Sequence, residues 1–125
     1  MIEFITILQI TLMFNRIDND QIKSNVAASL CHISQQGKPA CYRIFKTGGI
    51  AELVQMLRSR IIPIVHYAVT TLHNLLRYTE AAKEETIACG GMEAFTPLLS
   101  ARDEKLRALV MYNPIILCFV IFTNN

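Results

Sequence analysis

The sequence predicts an all-α fold, a solenoid of stacked three-helix repeats, and three observations carry that prediction. The first is the run from Val65 to Leu76. At 3.6 residues per turn, Val65, Ala68, Val69, Leu72, Leu75 and Leu76 form one apolar face. His66, Thr70, His73, Asn74 and Arg77 recur at i, i+4, i+7, i+8 and i+11 and share the other face as a polar stripe without a carboxylate. The second is an echo of that run in Asn25 to Ser34, where Leu30 stands 42 positions before Leu72. The third is the pair Gly48-Gly49, which recurs 42 positions later as Gly90-Gly91. Behind each glycine pair comes an amphipathic run, Ile50 to Leu57 and Met92 to Leu99. A period near 40 with helical patterning marks an α-solenoid of short repeats.

Composition narrows the class. A chain of 125 residues makes one domain at most. Hydrophobic residues make up 52% and mean hydropathy is +0.33, apolar for a chain of this size. Net charge is only +2, so the total suggests neither a nucleic-acid binder nor an acidic tail. Cys31, Cys41, Cys89 and Cys118 have no CxxC spacing and read as small buried hydrophobes in a reducing compartment. The run from Phe4 to Phe14 lacks the basic start and cleavage site of a signal peptide. It is also shorter than the ~20 apolar residues that a membrane span needs.

Taken in order, residues 1–18 read as a helix of a preceding, incomplete repeat followed by a polar turn, with Asp18 or Asn19 as the next N-cap. A helix from about Asp20 to Gln35 carries the first copy of the central motif. Gln36-Gly37-Lys38-Pro39 breaks it, and Pro39 suits the first turn of a short helix to Lys46 that buries Cys41, Ile44 and Phe45. Gly48 and Gly49 supply a tight, positive-φ reversal. Ile50 to Leu57 is the second helix, and Pro63 opens the third, closed at Tyr78-Thr79. Arg58 and Arg60 decorate a solvated turn between them. Glu80 to Cys89, Gly90-Gly91 and the run to Leu99 repeat short helix, turn and medium helix. Lys105 begins the next long helix. Pro114 then falls one period after Leu72, where an internal proline costs about 3 kcal/mol.

Phe45-Lys46-Thr47-Gly48-Gly49-Ile50, the string Thr70-Thr71-Leu72-His73-Asn74-Leu75-Leu76, and Gly90-Gly91 with Leu98-Leu99 resemble consecutive armadillo repeats of the family of β-catenin, plakoglobin and the armadillo protein. The resemblance covers Asn19 to Val110 and corresponds to early repeats of the family's twelve-repeat domain. It implies a right-handed armadillo solenoid of about two full three-helix repeats (residues 19–110), with partial repeats at both ends. Residues 111–125 form an atypical apolar tail, expected to reflect a truncated or mis-spliced gene model. It also implies a non-enzymatic scaffold whose relatives bind cadherin cytoplasmic tails, T-cell-factor-type transcription factors, axin and the adenomatous polyposis coli protein. Such partners lie as extended acidic segments in a basic groove of third helices. That places the protein in the cytoplasm, in the nucleus and at cell–cell junctions.

By the same resemblance, His73 and Asn74 match the groove His-Asn pair, whose amide bonds a partner's backbone while the imidazole meets side chains. Lys105 matches a groove lysine that meets acidic or phosphorylated residues, with Arg77 and Lys23 adding positive potential. His66 stands where the family usually has Phe and adds charge below pH about 6.5. In the earlier copy Cys31-His32 replaces His-Asn, which leaves His32 as the groove residue there.

Other classes find less support. No nucleophile elbow or phosphate-cradling loop occurs, and Glu84-Glu85 and Asp103-Glu104 are neighbours that do not face each other on a helix. No cofactor is called for. His66 and His73 stand about 10.5 Å apart along a helix axis, too far for one metal ion. Transport recognition of the importin-α kind needs tryptophans one turn before the groove asparagines; the chain has no Trp, and Thr70 sits four residues before Asn74. The remaining alternative is a truncated fragment without independent function, since a solenoid needs about three repeats for stability. Its ends are expected to expose Phe4, Ile7, Ile10 and Phe14 on one side and the apolar tail on the other.

Overall fold

The structure, a computed structural model, describes residues 13–117 together with Gln9 and Thr11. A 3-10 turn at Phe14–Arg16 is followed by α1 (Asp20–Ser34), α2 (Lys38–Lys46), α3 (Gly49–Leu57), α4 (Ile62–Tyr78), α5 (Glu80–Ala88) and α6 (Gly91–Phe95). A 3-10 stretch at Thr96–Ser100, α7 (Glu104–Met111) and further helical residues 114–117 complete it. No strand occurs among the described residues. The expectations for Phe4, Ile7, Ile10 and Cys118 lie outside them.

Local chemistry sets the boundaries. Asn19 caps α1: its Oδ1 accepts from the Ile22 amide at 3.0 Å. Pro39 and Pro63 sit in the first turns of α2 and α4, where a missing amide hydrogen costs nothing. Gly48 and Gly90 adopt φ of +82° and +83°, so only the first glycine of each pair takes the left-handed conformation. The second glycines serve close approach instead. A Cβ at Gly49 would stand 2.9 Å from Ile44 Cγ2, and one at Gly91 would stand 2.5 Å from Thr86 Cγ2. Thr86 and Ile44 are themselves one period apart, so both repeats fold the short helix onto the medium one by the same device.

The core runs unbroken through both repeats, from Leu30 and Ile44 through Leu53, Leu72 and Leu75 to Phe95 and Leu106. α4 is its axis. Its buried residues are Ile64, Val65, Ala68, Val69, Thr71, Leu72, Leu75 and Leu76, a stripe wider than a surface helix carries. It needs that width because α1 of the preceding repeat, α3 of its own and α7 of the next all pack on it. Each fully buried leucine here contributes about 1.5–3 kcal/mol. Thr71, fully buried, satisfies its hydroxyl by donating to the Tyr67 carbonyl at 2.7 Å, and Ser29 does the same to Asn25 one period earlier.

Several expectations need correction. Phe14 is only 4% exposed, with the Lys23 ammonium 5.4 Å from its ring centre, so it joins the core instead of a bare end. Phe45 and Cys89 are half-buried, because α2 and α5 each press a narrow face inward, Cys41 with Ile44 and Ala82 with Thr86. The run to Leu99 is not one helix. It changes from α to 3-10 at Thr96, where Pro97 lacks the amide that would continue the ladder. The third helix of the second repeat is short: α7 ends at Met111, and helix resumes at Pro114. There Asn113, fully buried, accepts from the Ile115 amide at 3.1 Å and reaches the Val69 carbonyl at 3.4 Å. Ile115 and Ile116 are buried beyond it.

Candidate binding groove

The polar stripe of α4 faces α7 across a cleft of about 450 Å³ lined by His66, Val69, Thr70, His73, Lys105, Ala108, Leu109 and Tyr112. The structure therefore brings together four of the residues singled out in the sequence: His66, Thr70, His73 and Lys105. Stacking explains the convergence. His66, Thr70 and His73 point toward the next repeat, whose third helix begins at Glu104 and presents Lys105 as its second residue.

The cleft is less basic than a stripe of nitrogens suggests. Lys105 is the single fixed cation among its lining residues, and Val69, Ala108 and Leu109 give it an apolar floor. A carboxylate also enters from outside the stripe. His66 Nε2 lies 3.5 Å from Asp103 Oδ1. Asp103 is the N-cap of α7, and its Oδ1 accepts from the Leu106 amide at 2.9 Å. That amide first, and His66 after it, hold the Asp103 carboxyl below its usual range. Burial, then the Arg77 guanidinium, hold His73 below the ordinary histidine value.

The other candidates lie elsewhere. Asn74 is half-buried and its Nδ2 donates to Ser34 Oγ of α1 at 2.9 Å, so its amide ties the two copies of the motif together instead of lying free for a partner's backbone. Arg77 is exposed beyond the cleft, stacked 5.6 Å from the Tyr78 ring centre. Lys23 is occupied over Phe14, and His32 is exposed on α1 while Cys31 beside it is buried. Cys41 is buried and donates to the Ser34 carbonyl at 3.1 Å.

The sequence reading missed Asp103, Leu109 and Tyr112. Asp103 carried a usable signal: an Asp three residues before a buried Leu, opening a helix, is an N-cap pattern. It also stands one period after Ile61, the N-cap of α4. Tyr112 carried one too: it stands one period after Thr70 and at i+7 from Lys105, on the same helix face.

Three-helix units stacked at a period of 42, with glycine reversals and a side-chain ridge on each third helix, define an armadillo-repeat solenoid. No family model matches the chain. It is 38% identical over 97 residues to the β-catenin-like protein hmp-2 of Caenorhabditis elegans and 36% identical over 91 residues to human junction plakoglobin. Those matches take in 77% and 73% of this chain. A structure determined for the phosphorylation switch that controls the interaction between cadherin and β-catenin superposes with a TM-score of 0.78 over 93% of the chain, at 29% identity. A designed armadillo repeat protein gives 0.74 at 17% identity, which supports the fold alone. The chain belongs to the armadillo-repeat family and is β-catenin-like. It spans 14% of the length of hmp-2 and 12% of plakoglobin.

Proposed function

We propose that the chain is a protein-binding scaffold segment whose cleft between α4 and α7 receives an extended acidic segment of a partner. The observation that carries this reading is the convergence of His66, Thr70, His73 and Lys105 on one cleft. An apolar floor beside one lysine suits an apolar side chain next to a carboxylate, or a phosphorylated residue, with Lys105 meeting the charge. Cadherin cytoplasmic tails are the first candidate in that class, since one similar solved structure concerns the interaction between cadherin and β-catenin. T-cell-factor-type factors, axin and the adenomatous polyposis coli protein are the other members of that partner class. This reading places the chain in the cytoplasm, at cell–cell junctions and in the nucleus, in adhesion and in Wnt signalling as a transcription coactivator. No helix among the described residues is long and apolar enough to cross a membrane.

Titrating an acidic cadherin-tail peptide into the chain at two salt concentrations tests the reading. Binding that weakens with salt, falls about tenfold in Lys105→Glu and weakens in His73→Ala supports it. Binding indifferent to both substitutions and to salt overturns it.

A further inference from the structure

We infer that His66 and Asp103 make acidic-partner binding in this cleft proton-dependent, so that His66 takes up a proton as the partner's carboxylate enters. The inference rests on the cleft being the partner site. His66 is half-buried in the lining, and Asp103 stands at its rim with Oδ1 3.5 Å from His66 Nε2. Lys105 lies two residues beyond Asp103 in the same lining.

The groups facing His66 come from the two elements that line the cleft. On its own helix they are His73, two turns further on, and Arg77 beyond the cleft; from the start of α7 they are Asp103 and Lys105, with Glu104 exposed outside the lining and the Tyr112 phenol at the end of that helix. Arg102 precedes the cap and is exposed. His73 is disfavoured as the proton acceptor, since burial and Arg77 oppose its charge. Lysine and arginine keep their charge throughout the neutral range, and carboxylates stay ionised down to about pH 4. Histidine is the side chain that changes charge between pH 5 and 8.

The consequences follow from charge balance. With His66 neutral, the cleft holds one cation, Lys105, opposed by the Asp103 carboxylate. With His66 protonated, it holds two cations opposed by one anion, and an entering carboxylate finds a second partner. A ligand that favours the protonated form binds more tightly as pH falls, by the same factor that it favours the proton. Asp103 competes for the imidazolium, so removing its charge sharpens the response. Asparagine still caps a helix, so Asp103→Asn keeps α7 in place.

The test is binding of an acidic peptide, a leucine flanked by glutamates, to the full chain between pH 7.5 and 5.5, beside a glutamine version of the peptide. The expected result is about three- to tenfold tighter binding of the acidic peptide at pH 5.5. That gain disappears in both His66→Phe and His66→Gln, grows in Asp103→Asn, and is missing for the glutamine peptide. Net proton uptake on binding, read by calorimetry in two buffers of different ionisation enthalpy, accompanies the gain. Binding of equal strength at both pH values, or a gain that persists in both His66 variants, overturns the inference and leaves the groove reading standing. Failure of the peptide to bind at either pH overturns both.

Discussion

The two repeats share a plan and differ in how regularly they carry it out. In the first, α3 is nine residues of uninterrupted α-helix and α4 runs for seventeen. In the second, the corresponding pieces break: α6 gives way to a 3-10 stretch at Thr96, and α7 stops after eight residues. What survives in both is the glycine reversal and the buried positions facing the shared core, Leu53 with Phe95 and Ile44 with Thr86. Stacking, then, depends on those anchors more than on helix length.

The largest effect is expected at the axis common to both repeats. Leu72→Ala should cost about 3–5 kcal/mol in urea unfolding, because it opens a cavity where α1, α4 and the second repeat meet. A loss under about 1 kcal/mol would mean that the leucine spine is not packed as described. Next come the second glycines. A methyl group at Gly91 meets Thr86 Cγ2 at 2.5 Å and its carbonyl at 2.7 Å, while at Gly49 the corresponding separations from Ile44 are 2.9 Å and 3.0 Å. Gly91→Ala should therefore destabilise by about 2–3 kcal/mol and Gly49→Ala by about 1–2 kcal/mol. The reverse order would show that the first repeat makes the tighter reversal.

A smaller effect is expected at the hydrogen bond joining the two copies of the motif. Asn74→Ala should cost about 1 kcal/mol. A double-mutant cycle with Ser34→Ala should return most of that loss as coupling. Independent losses would instead free Asn74 for a partner.

The smallest expected effect is a pH slope. Burial and then the Arg77 guanidinium hold His73 below the ordinary histidine value of about 6.5. A base with a depressed folded pKa binds more protons when unfolded, so its contribution to stability is fully present above about pH 6.5 and is lost as pH falls below it. Between pH 6.5 and 4.5 the chain should lose stability, and His73→Gln should flatten that slope. An unchanged slope would place the responsible group elsewhere.

The solenoid was legible because each repeat had to bury the same face, and that obligation leaves a period in the sequence. Leu30 and Leu72, and the two glycine pairs, report it directly. The groove was half legible. His66, Thr70, His73 and Lys105 could be placed on facing helices by counting, since side chains at helix spacing share a face. What counting missed depends on the third dimension. Asn74 turns to Ser34, a residue forty positions away, and Arg77 folds over Tyr78. Asp103 enters as a helix cap and only then becomes a neighbour of His66. Phe14 becomes core, with the Lys23 ammonium of α1 over its ring.

The most direct test of the central claim is to map where an acidic peptide sits, by amide and side-chain chemical shifts on the labelled chain. Shifts concentrated at His66, Thr70, His73, Lys105 and Tyr112 are the expected result. The smaller cavity formed by Lys38, Cys41, Tyr42, Tyr78 and Thr79 should stay unperturbed. Shifts centred on that second cavity, with the α4–α7 cleft silent, would contradict it.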